Sequence, residues 1–359
     1  MAISLLFIPD ISGFTKFVRN TEVEHSQHVI SELLEVLINA NTQDLKLAEV
    51  EGDALFFYKV NEIPSQEKLL AQIETMFTAF YSHLKRLEKN RICPCNACAT
   101  APDLQLKIIV HCGDVQFITV QEKRKPFGQF VIEAHRLLKN SIDSDTYALI
   151  SNAVSNRIGL PDNYNSLLYT FGVGRDVYDE VEIGYLFSEI DKNLLKLNPF
   201  ETSEVYDFKY PPGVVHHQDF KIPAAELLEY ITNYSYRHYW VKGVEKFEYN
   251  PDEVTRLGTE HVCVIDGKRL NFTTITKKTY ADEIVYGELT HDIPIHAMYQ
   301  FFIIKPTSDN TCKLTLEIYF EAKSLFKKLL LFLIIKRSIS KGSKTSIDNL
   351  EMFVRDNND

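Results

Sequence analysis

No apolar run in this sequence is long enough to cross a membrane. The longest, Leu329 to Ile335, falls far short of the ~20 residues that a helical span needs. Basic charge is also in short supply. With 39 Lys and Arg against 49 Asp and Glu, the net charge is −10, which argues against non-specific nucleic-acid binding. The opening MAISLLFIPD lacks a basic stretch and meets Pro9 and Asp10 too soon for a signal peptide. Six cysteines without an export signal point to reduced thiols or a metal rather than disulfides, and a cytoplasmic location is expected. No internal repeat or low-complexity segment occurs. What is present is ordinary: 45% apolar and 25% charged residues over 359 positions, enough for about two domains with a core each.

Two aspartates sit in similar settings. FIPDISGFTKF places Asp10 after the apolar run Leu5 to Ile8 and before Gly13, and AEVEGDALFFY places Asp53 beside Gly52. If the two strands are neighbours, both carboxylates reach one end of a sheet, where they repel unless a cation or proton neutralises them. Mg²⁺ prefers such oxygen ligands and typically bridges carboxylates to a substrate phosphate. Around these strands the pattern predicts helices over 27–45 and 65–90, a second strand over 54–60, and strands over 104–112 and 115–120 turned by Gly113-Asp114. A helix near 131–139 and a strand over 147–151 follow. The expected fold is an α+β sandwich, helices on a largely antiparallel sheet.

In order and spacing, FIPDISGFT, EGDALFF, IIVHCGDV and FGQFVIEAHRL resemble the four blocks of class III nucleotidyl cyclases, over roughly residues 3–160. The resemblance implies a ferredoxin-like cyclase domain, Mg²⁺ or Mn²⁺, a nucleoside triphosphate and a homodimer. It implies Asp10 and Asp53 as metal ligands with the Ile11 carbonyl auxiliary, and Gly13, Phe14 and Thr15 at the start of a helix facing the triphosphate. It makes Arg136 the transition-state arginine. The matching asparagine position, four residues after Gly128, holds Ile132, which cannot donate a hydrogen bond. The two base-reading positions hold Glu49, which suits guanine, and Lys125, an unusual companion that could pair with Glu49 and fill the base pocket. Metal ligation thus looks retained, base reading altered, and transition-state support half lost.

NRICPCNACATAPD brings Cys93, Cys95 and Cys98 together, which the cyclase resemblance does not explain. Three close thiolates suit Zn²⁺, with Cys112 or His111 on the following strand, or a group from another chain, as the fourth ligand. The alternative is a surface loop of reduced cysteines or a redox-labile pair, with His111 packed in its strand.

The domain boundaries are expected at 1–191, a Pro-rich linker over 192–212, and 213–359. The second domain reads as a helix over 224–238, six strands between 245 and 321, and a long final helix from about 325 to 354. This order resembles the helix-grip fold of START-like proteins, the polyketide cyclase and lipid-transfer superfamily. It implies an apolar cavity for a small lipophilic ligand, lined by Trp240, Phe272, Tyr286, Tyr299 and Phe301. Between Lys323 and Lys344 the final helix carries seven Lys and Arg and no acidic residue. That is compatible with docking on an anionic membrane, although a solvated basic face is the preferred reading.

Two functions remain open on the sequence. One is a lapsed cyclase-like module binding metal and nucleotide, coupled to a ligand-binding domain. The other is an active homodimeric cyclase, favouring GTP over ATP, controlled by that domain.

Overall fold

The apolar run at the start of the chain becomes a ten-residue strand buried on both faces, β1 (Ile3–Ser12), and the first sheet is built around it. The computed structural model describes residues 3–201, 204–250, 253–265, 267–324 and 334–358. The chain folds as two units, residues 1–86 with 100–200, and residues 87–99 with 201–359.

In the first unit seven strands run in the order β2-β3-β1-β4-β7-β9-β8. These are β2 (Lys46–Glu51), β3 (Ala54–Lys59), β4 (Gln105–Asp114), β7 (Tyr147–Ser151), β8 (Gly172–Tyr178) and β9 (Val181–Glu189). All pairs are antiparallel except β4 with β7. The helices are α1 (Phe14–Arg19), α2 (Val23–Asn39), α3 (Gln66–Asn90), α5 (Gln129–Arg136) and α6 (Asn152–Ile158), with the end of α3 from Leu87 and nearly all of α4 (Asn96–Thr100) in the segment that folds with the second unit. Alternation along β1 sends Leu6 and Ile8 to the face covered by Ala134 and Leu137, while Leu5 and Phe7 are equally buried on the other.

Several sequence expectations shift. Strand 115–120 does not fold back on β4. β5 (Gln116–Val120) pairs with β6 (Lys123–Phe127) about Gln121-Glu122, both at positive φ. Such a turn usually takes Asn or Gly, so it sent no signal. Gly113 serves another purpose: a Cβ there would lie 2.0 Å from the Phe130 ring, so the glycine admits close packing rather than a turn. Helix α2 stops at Asn39, and Asn41 closes the next loop through bonds to the backbone of Leu45. The segment after it is β2, an exposed edge strand whose bulge between Leu47 and Glu49 breaks the alternation that would have revealed it.

The second unit holds an eight-stranded sheet ordered β11-β17-β16-β15-β14-β13-β12, with β10 pairing off that path onto β14. The strands are β10 (Val205–Tyr206), β11 (Val214–Phe220), β12 (Val244–Glu248), β13 (Glu260–Ile265), β14 (Lys268–Lys277), β15 (Ile284–Thr290), β16 (Ala297–Ser308) and β17 (Thr311–Glu321). One face packs against α7 (Ala224–Thr232), α8 (Arg237–Trp240) and α9 (Lys336–Asn358), with Leu227, Ile347 and Leu350 fully enclosed. The other face is covered by Tyr206 and Phe208, the latter stacked on Tyr319 at 4.0 Å. The stretch read as a linker is therefore partly a strap on this sheet. The expected helix over 224–238 breaks at Asn233, whose side chain accepts from the Ser235 N–H, and restarts as α8. Residues 325–333 of the expected final helix, with Lys327 and Lys328, lie outside the described residues. Among the described residues no helix is long and apolar enough to cross a membrane.

Candidate functional site

Asp10 lies near the end of β1, opposite Ala54 of β3, and the Ile11 N–H donates to the Asp53 carbonyl at 3.1 Å. Strand pairing thus brings the two aspartates together at one end of the sheet. A third group joins them. Lys107 of β4 is the cross-strand partner of Asp10, and its Nζ lies 2.9 Å from Asp10 Oδ2, with both side chains less than one-fifth exposed. Burial and the facing Asp10 carboxylate push the Asp53 pKa up. Burial pulls the Lys107 pKa down, but Asp10 outweighs it and the net direction is up. Two carboxylates against one ammonium leave the cluster negative, and hard oxygen donors in a negative setting fit a divalent cation such as Mg²⁺ or Mn²⁺. Asp10 and Asp53 are the side chains that could hold it. The Ile11 side chain is wholly buried, so only its backbone is available.

The other expected positions surround this cluster unevenly. Gly13, at φ 88°, turns the chain from β1 into α1, and Phe14 and Thr15 form the first turn of that helix. Lys125 on β6 donates to Glu49 on β2 at 2.7 Å, a partly exposed ion pair. Arg136 closes α5 and donates to Asp179 in the β8–β9 turn. Ile132, one turn earlier, is 53% exposed. Beneath α5, His111 bonds Ser151 Oγ at 2.8 Å and Glu133 at 3.2 Å, so its ring is committed to a buried network. Burial pulls its pKa down against the opposing pull of Glu133.

Sequence reasoning missed Lys107. Its signal was a lone charge in the apolar strand LKIIV, but the register that sets it against Asp10 is not written in the local pattern.

The second unit contains a cavity of about 500 Å³ lined by α8, α9 and the facing strands. Trp240 and Phe272 line it, with Met298, Phe302 and Leu316. Tyr286 lies in the same core but is fully buried, its hydroxyl bonded to Glu288 at 2.6 Å. Tyr299 and Phe301 correct the sequence expectation: they belong to the opposite face, packed against Phe208. β16 is buried on both faces, so its two parities look alike in sequence and only Met298, Gln300 and Phe302 point to the cavity.

The cavity has a polar floor. Arg237 donates to Glu288 at 2.6 Å, to Tyr286 at 3.0 Å and to the Ile231 carbonyl at 2.8 Å. Gln300 donates to the second Glu288 oxygen at 3.1 Å. His261 stacks on Phe272, and neither ring nitrogen has a hydrogen-bond partner. Burial is the main cause that lowers its pKa to about 4, so the ring is neutral near pH 7.

The Cys93, Cys95 and Cys98 sulfurs lie within 4.8 Å of one another. Cys112 has its own setting inside the first unit. It sits in β4 with its thiol donating to the Ala153 carbonyl at 3.1 Å, and burial pushes its pKa up to about 11. Cys112 and His111, the fourth-ligand candidates from the sequence, are each engaged by partners within the first unit.

A family model described as a protein of unknown function, DUF2652, matches residues 30–147. The uncharacterized protein Rv2561/Rv2562 of Mycobacterium tuberculosis is 29% identical over 126 residues, 35% of this chain. The chain spans 58% of that relative's length. Among solved structures, the catalytic core of a rhodopsin-guanylyl cyclase in complex with ATPαS is similar at 13% identity and TM-score 0.39, over 53% of this chain and 96% of that one. The guanylate cyclase domain of RhGC from Catenaria anguillulae, in complex with GTP, gives 12% and 0.38 over 53% and 97%. A bacterial light-regulated adenylyl cyclase gives 16% and 0.38 over 53% and 91%. At these identities and scores the likeness assigns no activity to this chain.

Proposed function

We propose that the first unit is a class III cyclase-like module that binds a divalent cation and a nucleoside triphosphate but has lost most of its cyclisation, and that the second unit, with a START-like arrangement, binds a small lipophilic ligand coupled to it. The observation that carries the first part is the Asp10–Asp53 pair at one sheet end, still net negative with Lys107 in place. Asp10 and Asp53 would hold the cation, which when bound supplies positive charge to the triphosphate. Gly13, Phe14 and Thr15 open the neighbouring turn and helix. The departures count against turnover. Ile132 offers no donor to the transition state, the Glu49–Lys125 pair occupies the base-reading positions, and Arg136 is engaged by Asp179.

A second reading, an active homodimeric cyclase favouring GTP, draws on one observation. Phe127 on β6 and Ile132 on α5 are both more than half exposed, and apolar side chains left in solvent are what a second copy would cover.

The deciding experiment gives the purified chain Mn²⁺ or Mg²⁺ with each of the four NTPs and looks for cyclic product by mass spectrometry. In parallel, calorimetry follows Mn²⁺ with a non-hydrolysable GTP analogue. The lapsed reading expects binding that Asp10→Ala abolishes, and little or no product. Abundant cyclic GTP establishes the second reading, and binding unchanged in Asp10→Ala removes the site assignment. For the second unit, Trp240 is the sole tryptophan and lines the cavity. A fatty acid should change its fluorescence saturably, and a flat titration with lipids of several chain lengths would remove the cavity's role.

A further inference from the structure

The three-cysteine loop belongs to neither proposed site. It lies in the segment 87–99, which folds with the second unit rather than with the chain on either side of it. Its anchorage is specific: the Leu257 N–H donates to the Asn90 carbonyl at 2.9 Å, and Ile92 and Cys93 pack against the core that α9 completes. After Arg91 the chain forms no regular structure until α4, yet it curls tightly enough to bring three thiols together. The backbone assists. The Cys95 N–H points to Cys93 Sγ at 3.5 Å, and the Cys98 N–H points to Cys95 Sγ at 3.4 Å.

We propose that Cys93, Cys95 and Cys98 bind a thiophilic divalent cation, with Zn²⁺ as the natural occupant. Zinc–thiolate bonds of about 2.3 Å in a tetrahedron set sulfur–sulfur edges of about 3.8 Å, inside the observed spread. A fourth donor, an imidazole or a water, completes the shell. Binding displaces any remaining thiol protons to solvent and changes no oxidation state. The ion acts as a clip: it ties residues 93–98 into one turn and so fixes a segment with little regular structure against the second unit's core.

The test uses the full chain purified under reducing, chelator-free conditions. Elemental analysis should find about one zinc per chain, and Co²⁺ exchange should give thiolate-to-metal charge-transfer absorption with the d–d bands of a tetrahedral site. Cys95→Ser and Cys98→Ser should each lower the zinc content at least several-fold. Cys112→Ser and Cys312→Ser should leave it unchanged. If the loop variants fold poorly, alkylation of the wild type serves instead: these three thiols should be protected until a strong chelator is added. Protein that is folded, metal-free and unable to take up Co²⁺ overturns the proposal. So does a disulfide among the three in anaerobically prepared protein, or equal zinc in Cys98→Ser and wild type.

Discussion

Each unit places a cluster of opposite charges against its sheet, and the two clusters differ in balance and in access. At the end of the first sheet, Asp10, Asp53 and Lys107 carry two negative charges against one positive, and Asp10 and Lys107 keep 14% and 19% of their side-chain surface exposed. In the second unit Arg237 and Glu288 stand one against one, each 3% exposed, with Tyr286 and Gln300 bonding the same carboxylate. A balanced, dry pair with its lone pairs satisfied has nothing further to bind and serves as floor and scaffold. An unbalanced, wetter cluster is the one that a cation can complete. Burial and stoichiometry together, rather than the residue types, separate a structural ion pair from a candidate metal seat.

The largest effect should come from breaking the balanced pair. Glu288→Gln leaves the Arg237 guanidinium buried without its counter-charge, a change that typically costs about 3–5 kcal/mol. Chemical denaturation of the second unit's transition measures it. A loss below about 1 kcal/mol, the scale of exposed pairs, would mean that the pair is not dry. Acid should act on the same cluster in two stages. The folded His261 pKa of about 4 lies below its ordinary 6.5, so the unfolded chain binds more protons and stability is lost as pH falls from about 6.5 to about 4. Burial raises the Glu288 pKa, but Arg237 dominates and holds it below its ordinary 4.5. Its contribution is present above about pH 4.5 and is lost as pH falls through the folded value. In His261→Phe the first stage should flatten, and an unchanged profile would assign that stage to other groups.

Next comes transition-state support. Ile132→Asn restores a hydrogen-bond donor and should raise cyclic-product formation by up to about 10²-fold, the scale of one preorganised donor. Adding Lys125→Cys, which frees Glu49, should raise it further, with GTP ahead of ATP. If these variants bind metal and nucleotide but form no product, the first unit is a binding module.

A smaller effect tests the unbalanced cluster directly. Lys107→Met removes the ammonium that competes for Asp10, so Mn²⁺ should bind about tenfold more tightly by calorimetry, as removing a nearby like charge predicts. Weaker binding would show instead that Lys107 organises the carboxylates. The smallest change is expected for Lys125→Ala, since the Glu49–Lys125 pair is about two-fifths exposed and such pairs contribute under about 1 kcal/mol. A greater loss of stability would make that pair part of the scaffold.

Much of the site was legible where glycine and charge interrupt apolar runs. Asp10 beside Gly13 and Asp53 beside Gly52 stood out, and so did the three close cysteines. The misses have common causes. Hairpins turning on Gln121-Glu122 and Asp179-Glu180 carry no glycine or asparagine at their positive-φ positions, so the turns were silent and β8 and β9 went unread with them. The second unit's polar floor was hidden for another reason: Arg237 and Glu288 are far apart in sequence, and each looks like an ordinary surface charge until its partner is known.

The sequence alone determined the strongly periodic strands and helices, where carboxylates would meet strand ends, and that three thiols would share one short loop, because these follow from local periodicity and spacing. Only the tertiary structure decided strand register. It set Lys107 across from Asp10, turned Gln300 rather than Tyr299 toward the cavity, and engaged Arg136 with Asp179. Register depends on which distant strands pair, and a shift of one residue exchanges the two faces of a strand, so no local pattern could have settled it.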